Sequence, residues 1–110
     1  MNKKIKIFDL SEQYESIAKE VDKNVLDILK SGQYILGRNV GDLEVKFSNF
    51  IGSKYSVSCN SGTDALVLSL RALNIGHGDE VITTPFTYFA TAEAIVLVGA
   101  KPVFVDINPH

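Results

Sequence analysis

Only one cysteine, Cys59, occurs in the 110 residues of the chain, so an internal disulfide is excluded. Its place in an apolar, strand-like run points to a buried thiol in a reducing compartment. Basic clustering is also missing. The eleven lysines and arginines are scattered apart from Lys3, Lys4 and Lys6, and the formal charge is −2. Such a surface has no stripe to neutralise a phosphate backbone, which argues against nucleic acid as a partner. The longest near-apolar stretch, residues 90–100, is interrupted by Glu93 and is far too short to cross a bilayer. No long apolar segment follows the first lysines, as a secretion signal would require. The expected location is therefore the cytoplasm, with no membrane partner.

Several ligand signatures are absent too. Neither the Gly-x-Gly-x-x-Gly string of dinucleotide sites nor the Gly-x-x-x-x-Gly-Lys string of nucleotide triphosphate sites occurs. Cys59, His77 and His110 have no metal-ligand spacing between them, so no metal is expected. There is no internal repeat and no low-complexity segment.

What remains is an ordinary globular chain, 45% apolar and long enough for one core. Tyr14, Ile17, Ala18, Val21, Val25, Ile28 and Leu29 recur at three- and four-residue steps. That is the stripe of an amphipathic helix, with Asp9 and Glu12 as its opening cap and Gly32 as its stop. Residues 32–41 hold three glycines around Tyr34, Ile35 and Leu36, a composition that suits a loop packed against something. Leu43, Phe47, Phe50 and Ile51 mark a second, shorter helix ending at Gly52.

From residue 54 the pattern changes to short β-branched runs alternating with helices of about three turns. Strands are expected over residues 54–59, 80–83 and 102–107, and helices over residues 63–74 and 87–98. This βαβαβ order makes an α/β sheet of parallel strands, with ligand-facing loops at their carboxyl ends. The expected division is a helical segment with an interface loop, residues 1–53, then the βαβαβ part, residues 54–110. A three-stranded parallel sheet with both edges open is a poor stopping place. The chain therefore reads as part of one incomplete domain.

Two strand-to-helix turns on the ligand-facing edge stand out. The first, Asn60-Ser61-Gly62-Thr63-Asp64-Ala65-Leu66, opens a helix. A glycine there lets the backbone turn tightly, and the helix aims its free amides and positive dipole end at an anion. Ser, Gly and Thr at a helix start are also ordinary capping residues, so capping and anion binding both stand. Asp64 stabilises the helix start but would repel a phosphate unless its carboxylate points aside, leaving its amide as the useful group. The second turn, Thr84-Pro85-Phe86-Thr87-Tyr88-Phe89-Ala90-Thr91, is rich in rings. Phe89 reads as core, whereas Tyr88 reads equally as core or as a face for a phosphorylated aromatic cofactor. Asp106 reads as a site carboxylate or, by preference, as the cap of the turn after the third strand, and His77 as a solvated residue between two glycines.

The wording of five ordered strings resembles one family. They are Gln33-Tyr34-Ile35-Leu36-Gly37, the turn at residues 60–66, Gly78-Asp79-Glu80-Val81-Ile82, Phe86-Thr87-Tyr88-Phe89-Ala90-Thr91-Ala92, and Gly99-Ala100-Lys101-Pro102-Val103-Phe104-Val105-Asp106. Together they resemble the N-terminal portion of the DegT/DnrJ/EryC1/StrS sugar aminotransferases, enzymes of fold type I that use pyridoxal phosphate. The resemblance covers the chain from Phe8 onward. It implies that Gly62 and Thr63 hold the cofactor phosphate, with Thr63 using amide and hydroxyl, that Ser61 and Asp64 belong to the same cofactor-binding set, and that Tyr88 stacks on the pyridine ring. It also implies a homodimer with shared active sites, in which Tyr34 and Gly37 lie at the subunit interface or near the substrate. The implied reaction moves an amino group from glutamate to a keto-sugar on a nucleotide diphosphate. The wording looks most like members acting on 3-keto sugars, including UDP-linked acetamido-uronates.

One departure matters. The family's lysine lies in a Ser-x-His-x-x-Lys segment, and its aspartate partner for the pyridine nitrogen somewhat earlier, both beyond position 110. Lys54 and Lys101 precede their expected strands and so belong at the opposite sheet edge. The 110 residues are thus expected to contain no catalytic residue and to be inactive alone. Two other readings stand beside this one: a non-catalytic regulatory relative, and a small independent anion-binding module, the latter disfavoured by its open sheet edges.

Overall fold

The computed structural model describes residues 6–108; Lys3, Lys4 and His110 lie outside them. The chain divides into two compact units, Met1–Ser56 and Val57–His110.

In the first unit, α1 (Ser11–Ser31) follows the three- and four-residue apolar stripe. Its opening differs from the expected capping box. Leu10 holds the cap position and makes no side-chain cap bond. One residue earlier, the Asp9 carboxylate accepts the Ser11 amide at 3.0 Å and pairs with Lys6 at 2.6 Å. Those contacts, the Lys6 bond first, hold the Asp9 carboxyl down at about 2. Gly32 ends α1 in the left-handed region at φ 67, and Gly52 ends α2 (Arg38–Ile51) likewise at φ 72, as their positions suggested. The second helix starts earlier than expected, within the glycine-rich stretch, because Gly37 supplies its cap and Arg38 reaches Asp42 one turn on at 3.5 Å. The loop shrinks to residues 32–37. Within it Ile35 and Leu36 are more than four-fifths exposed, so nothing among the described residues covers them.

The second unit runs α3 (Gly62–Ala72), β1 (Glu80–Thr83), α4 (Ala90–Leu97), β2 (Lys101–Phe104). The two strands pair in parallel with register from Glu80↔Lys101 to Thr83↔Phe104. The amide of Val105 prolongs the ladder by donating to the Thr83 carbonyl at 2.9 Å. At the other end Lys101 Nζ meets Glu80 Oε1 at 2.7 Å, a bond that raises the lysine's pKa. α4 is the crossover. It lies against α3 and also against both strands, which explains why it is apolar on most sides. Ala94, Ile95 and Ala100 form the buried core.

The architecture is thus α/β with a parallel crossover, as expected, but with two strands rather than three. Residues 54–59 form no strand. Their alternating sequence fits an extended chain, but a strand exists only where a neighbour completes its ladder, and among the described residues this segment has no such neighbour. The segment also straddles the boundary between the units, with Tyr55 and Val57 exposed. Cys59 is exposed as well, contrary to the buried thiol expected, and its Sγ donates to the Ser61 carbonyl at 3.4 Å.

Candidate functional site

α3 and α4 each end in a short turn that enters a strand at its amino end, and the two helices pack together. Chain direction therefore puts the first turns of both helices towards the carboxyl ends of the strands, the ligand side of a parallel sheet.

At the start of α3 the capping is explicit. Ser61 is extended, at φ −155 and ψ 166, and its hydroxyl accepts the Asp64 amide at 3.1 Å while its carbonyl accepts the Ala65 amide at 3.0 Å. A helix leaves its first amides without intrahelical acceptors. With those of Asp64 and Ala65 engaged, the amides of Gly62 and Thr63 are the pair left for an external acceptor. The expectation that the Asp64 amide serves an anion is corrected here, since Ser61 already holds it. Asp64 remains in the first turn with its side chain half-buried.

Gly62 corrects a second expectation. Its φ is not left-handed, and a Cβ built on it would meet nothing within 4 Å, so the turn itself does not demand glycine. The room lies beside the unclaimed amide of Gly62 itself. That open space, a hydroxyl with a proton still to donate, and the positive end of the α3 dipole together suit a phosphate.

At the start of α4, Tyr88 is 82% exposed. It lines an open hollow of about 310 Å³ with Pro85, Thr87, Phe89, Ala92 and Phe104. Residues 61–64 do not line this hollow. Phe89, expected in the core, is 72% exposed, because α4 turns Ala94 and Ile95 inward and leaves the ring on its open side. The backbone here is held by hydroxyls. Thr84 Oγ1 accepts the Phe86 amide at 3.1 Å, Thr87 Oγ1 and Thr91 Oγ1 lie 2.9 Å apart, and the Tyr88 carbonyl accepts the Thr91 amide at 3.1 Å. Sequence reading singled out the rings and passed over these threonines; the signal was there in Thr87 and Thr91, one helical turn apart.

The remaining candidates are placed as follows. Asp106 Oδ1 accepts the amide of the next residue, Ile107, at 2.8 Å, but residues 105–108 form no turn for it to cap, and His77 is an exposed turn residue. In the first unit the Tyr34 hydroxyl donates to the Leu29 carbonyl at 3.0 Å, tying the loop back to α1. A hollow of about 390 Å³ lies beside it, lined in part by Asp27, Tyr34, Gly37 and Arg38. A Cβ on Gly37 would come within 2.9 Å of the Gln33 carbonyl oxygen, so that close approach does require glycine. Among the described residues no group of three or more His, Cys, Asp or Glu could hold a metal, and no helix is long and apolar enough to cross a membrane.

A family model described as the DegT/DnrJ/EryC1/StrS aminotransferase family matches residues 15–110. The chain belongs to that family. Its aminotransferases depend on pyridoxal phosphate, and its nucleotide-sugar members include UDP-2-acetamido-2-deoxy-3-oxo-D-glucuronate aminotransferase of Pseudomonas aeruginosa, 50% identical over 106 residues. That match takes in 96% of this chain and 30% of the relative. A pleiotropic regulatory protein of Geobacillus stearothermophilus is 45% identical over 105 residues, covering 96% of this chain and 28% of that protein. Among solved structures, a DegT/DnrJ/EryC1/StrS aminotransferase from Brucella abortus superposes with a TM-score of 0.90 at 38% identity, over 96% of this chain and 28% of that one. NtdA of Bacillus subtilis, solved with bound cofactor PMP, gives 0.85 at 29% identity over 98% and 26%. The chain thus spans less than a third of the length of these relatives, and its fold is a partial fold type I aminotransferase large domain.

Proposed function

We propose that the chain is the N-terminal part of a pyridoxal-phosphate-dependent aminotransferase that moves an amino group from glutamate to a nucleotide-linked 3-keto sugar, of the UDP-acetamido-uronate type. The observation that carries this reading is the start of α3. Ser61 caps Asp64 and Ala65, the amides of Gly62 and Thr63 stay unclaimed, and open room lies over Gly62. The substrate class rests on the Pseudomonas relative.

In this reading Gly62 and Thr63 hold the cofactor phosphate through their amides. The Thr63 hydroxyl adds a further donor, and Ser61 donates the proton its cap leaves free. Asp64 keeps its carboxylate aside and serves the helix dipole. Tyr88 offers its face to the pyridine ring and shields it from water. When bound, pyridoxal phosphate supplies an electron sink for breaking bonds at the amino-bearing carbon. The 110 residues contain no Ser-x-His-x-x-Lys segment. Lys101 is held by Glu80 at the amino end of the sheet and is in no position to replace such a lysine. The reading therefore draws its catalytic lysine and pyridine-pairing carboxylate from elsewhere in the full-length protein, and makes these residues inactive alone. It also places the protein in the cytoplasm as a homodimer, with Tyr34 and Gly37 at the subunit interface or near the substrate, and the division at residues 1–53 and 54–110 goes with it.

The test is cofactor binding by the full-length protein, followed by its visible absorbance. Thr63→Ala and Tyr88→Ala should each weaken binding; unchanged affinity in both would sink the assignment. The Geobacillus relative favours a second reading, a regulatory protein without catalysis. A full-length sequence lacking the lysine segment would support it; one containing that segment would support the enzyme.

A further inference from the structure

Tyr88 is 82% exposed, so among the described residues little packing around its ring fixes its direction. Whatever aims the ring must act through the backbone of residues 84–89, which belongs to no helix or strand. Three bonds bracket that backbone. On the strand side, Thr84 Oγ1 accepts the Phe86 amide at 3.1 Å. On the helix side, the Thr91 amide donates to the Tyr88 carbonyl at 3.1 Å, and the Thr91 hydroxyl meets that of Thr87 at 2.9 Å. The last bond spans the tyrosine, joining the residue before it to the first turn of α4. Thr91 is itself anchored by α4, whose Ala94 and Ile95 are the most buried residues of the unit.

We propose that Thr91 is a positioning residue: through its hydroxyl bond to Thr87 it fixes the peptide that carries Tyr88, and so the plane of the ring presented to the cofactor. This rests on the assignment of Tyr88 to the pyridine ring. Neither threonine is required to touch the cofactor. Because the pair is exposed on the Thr87 side and half-buried on the Thr91 side, valine at 91 keeps the shape and removes the bond, and serine keeps the bond.

The experiment uses the full-length protein freed of cofactor and titrated with pyridoxal phosphate. Affinity is read from absorbance, and ring placement from the visible circular dichroism of the bound cofactor. Thr91→Val should weaken affinity about 5-fold, the worth of one ordinary hydrogen bond, and alter the dichroism. Thr91→Ser should restore both. Thr87→Val removes the same bond from its other end and should match Thr91→Val. The double variant should be no weaker than either single one, since both remove one shared bond. Wild-type affinity in Thr91→Val and Thr87→Val, or a Thr91→Ser as weak as the valine variant, overturns the proposal. If those variants bind normally while Tyr88→Ala binds weakly, only the positioning role fails. If Tyr88→Ala and Thr63→Ala also bind normally, the cofactor site itself is misassigned and the proposal falls with it.

Discussion

The starts of α3 and α4 lie on the same side of the strands yet are held in different ways. At α3 a single residue does the work: Ser61 engages two amides and leaves two others unclaimed. At α4 no residue caps by side chain, and the segment is instead braced by threonine hydroxyls at both ends. The difference follows from what each turn displays. A turn that offers backbone amides needs only a fixed helix start. A turn that offers a ring must also fix the direction of a side chain that is largely exposed.

The largest expected effect removes what both turns stand on. Ile95 is 3% exposed and sits in the face of α4 that meets the rest of the unit. Ile95→Ala should destabilise by about 2–5 kcal/mol, the usual cost of such a core cavity. A thermal or denaturant melt of the full-length protein reads it, and both turns should lose cofactor affinity together. A stable Ile95→Ala protein would mean that the core lies elsewhere.

Next comes a change that should affect the α3 turn alone. Thr63→Ala removes a donor to a charged group, a loss of about 1.5–3 kcal/mol, or roughly 10- to 150-fold in cofactor affinity, with the melt nearly unchanged. Equal losses in melt and affinity would show the hydroxyl to be structural. Ser61→Ala should move both readouts, costing about 1 kcal/mol of stability through the lost cap and weakening cofactor affinity through the lost donor. If it leaves the melt untouched, the capping geometry is not what holds α3.

The smallest effects concern pH, and they separate a carboxylate-held helix start from a hydroxyl-held one. Asp9 has its carboxyl lowered to about 2 by Lys6 and Ser11. A depressed carboxyl contributes stability above its unfolded value and loses it as pH falls through the folded one. The start of α1 should therefore loosen as pH drops towards about 2, with Asp9→Asn abolishing that dependence. The Ser61 hydroxyl that caps α3 carries no such titrating charge. Carboxyl NMR titration of Asp9 checks the prediction. At the opposite limit, Lys101 has its pKa raised by Glu80, so that pair contributes below the ordinary lysine value and is lost as pH rises through the higher folded one. Lys101→Met should hardly move the melt, because both side chains are largely exposed.

Much of this architecture was legible in the residues. The strand Glu80–Thr83 falls where its β-branched run predicts, and Gly32 and Gly52 end their helices as expected. These features are local, set by side-chain period and backbone freedom. Residues 54–59 misled because alternation reports only that a segment suits a strand, while a strand requires a partner to complete its hydrogen bonds. Phe89 and Cys59 misled for a related reason: composition tells how much a side chain gains from burial, not whether neighbours supply it. At the start of α3 a capping residue could be read from Ser61-Gly62-Thr63, but which amides the serine would claim could not. The four-residue spacing of Thr87 and Thr91 showed that the two could be neighbours, but not that their hydroxyls would bond to each other.

The serine at the head of α3 also separates two demands that ordinarily coincide. An aspartate in its place would cap the helix equally well, accepting the same amide and suiting the dipole better. Yet a carboxylate has nothing to give an incoming anion and would push it away. Position 61 is thus one where folding tolerates a substitution that binding does not, so Ser61→Asp should yield a protein that melts normally and holds no phosphate.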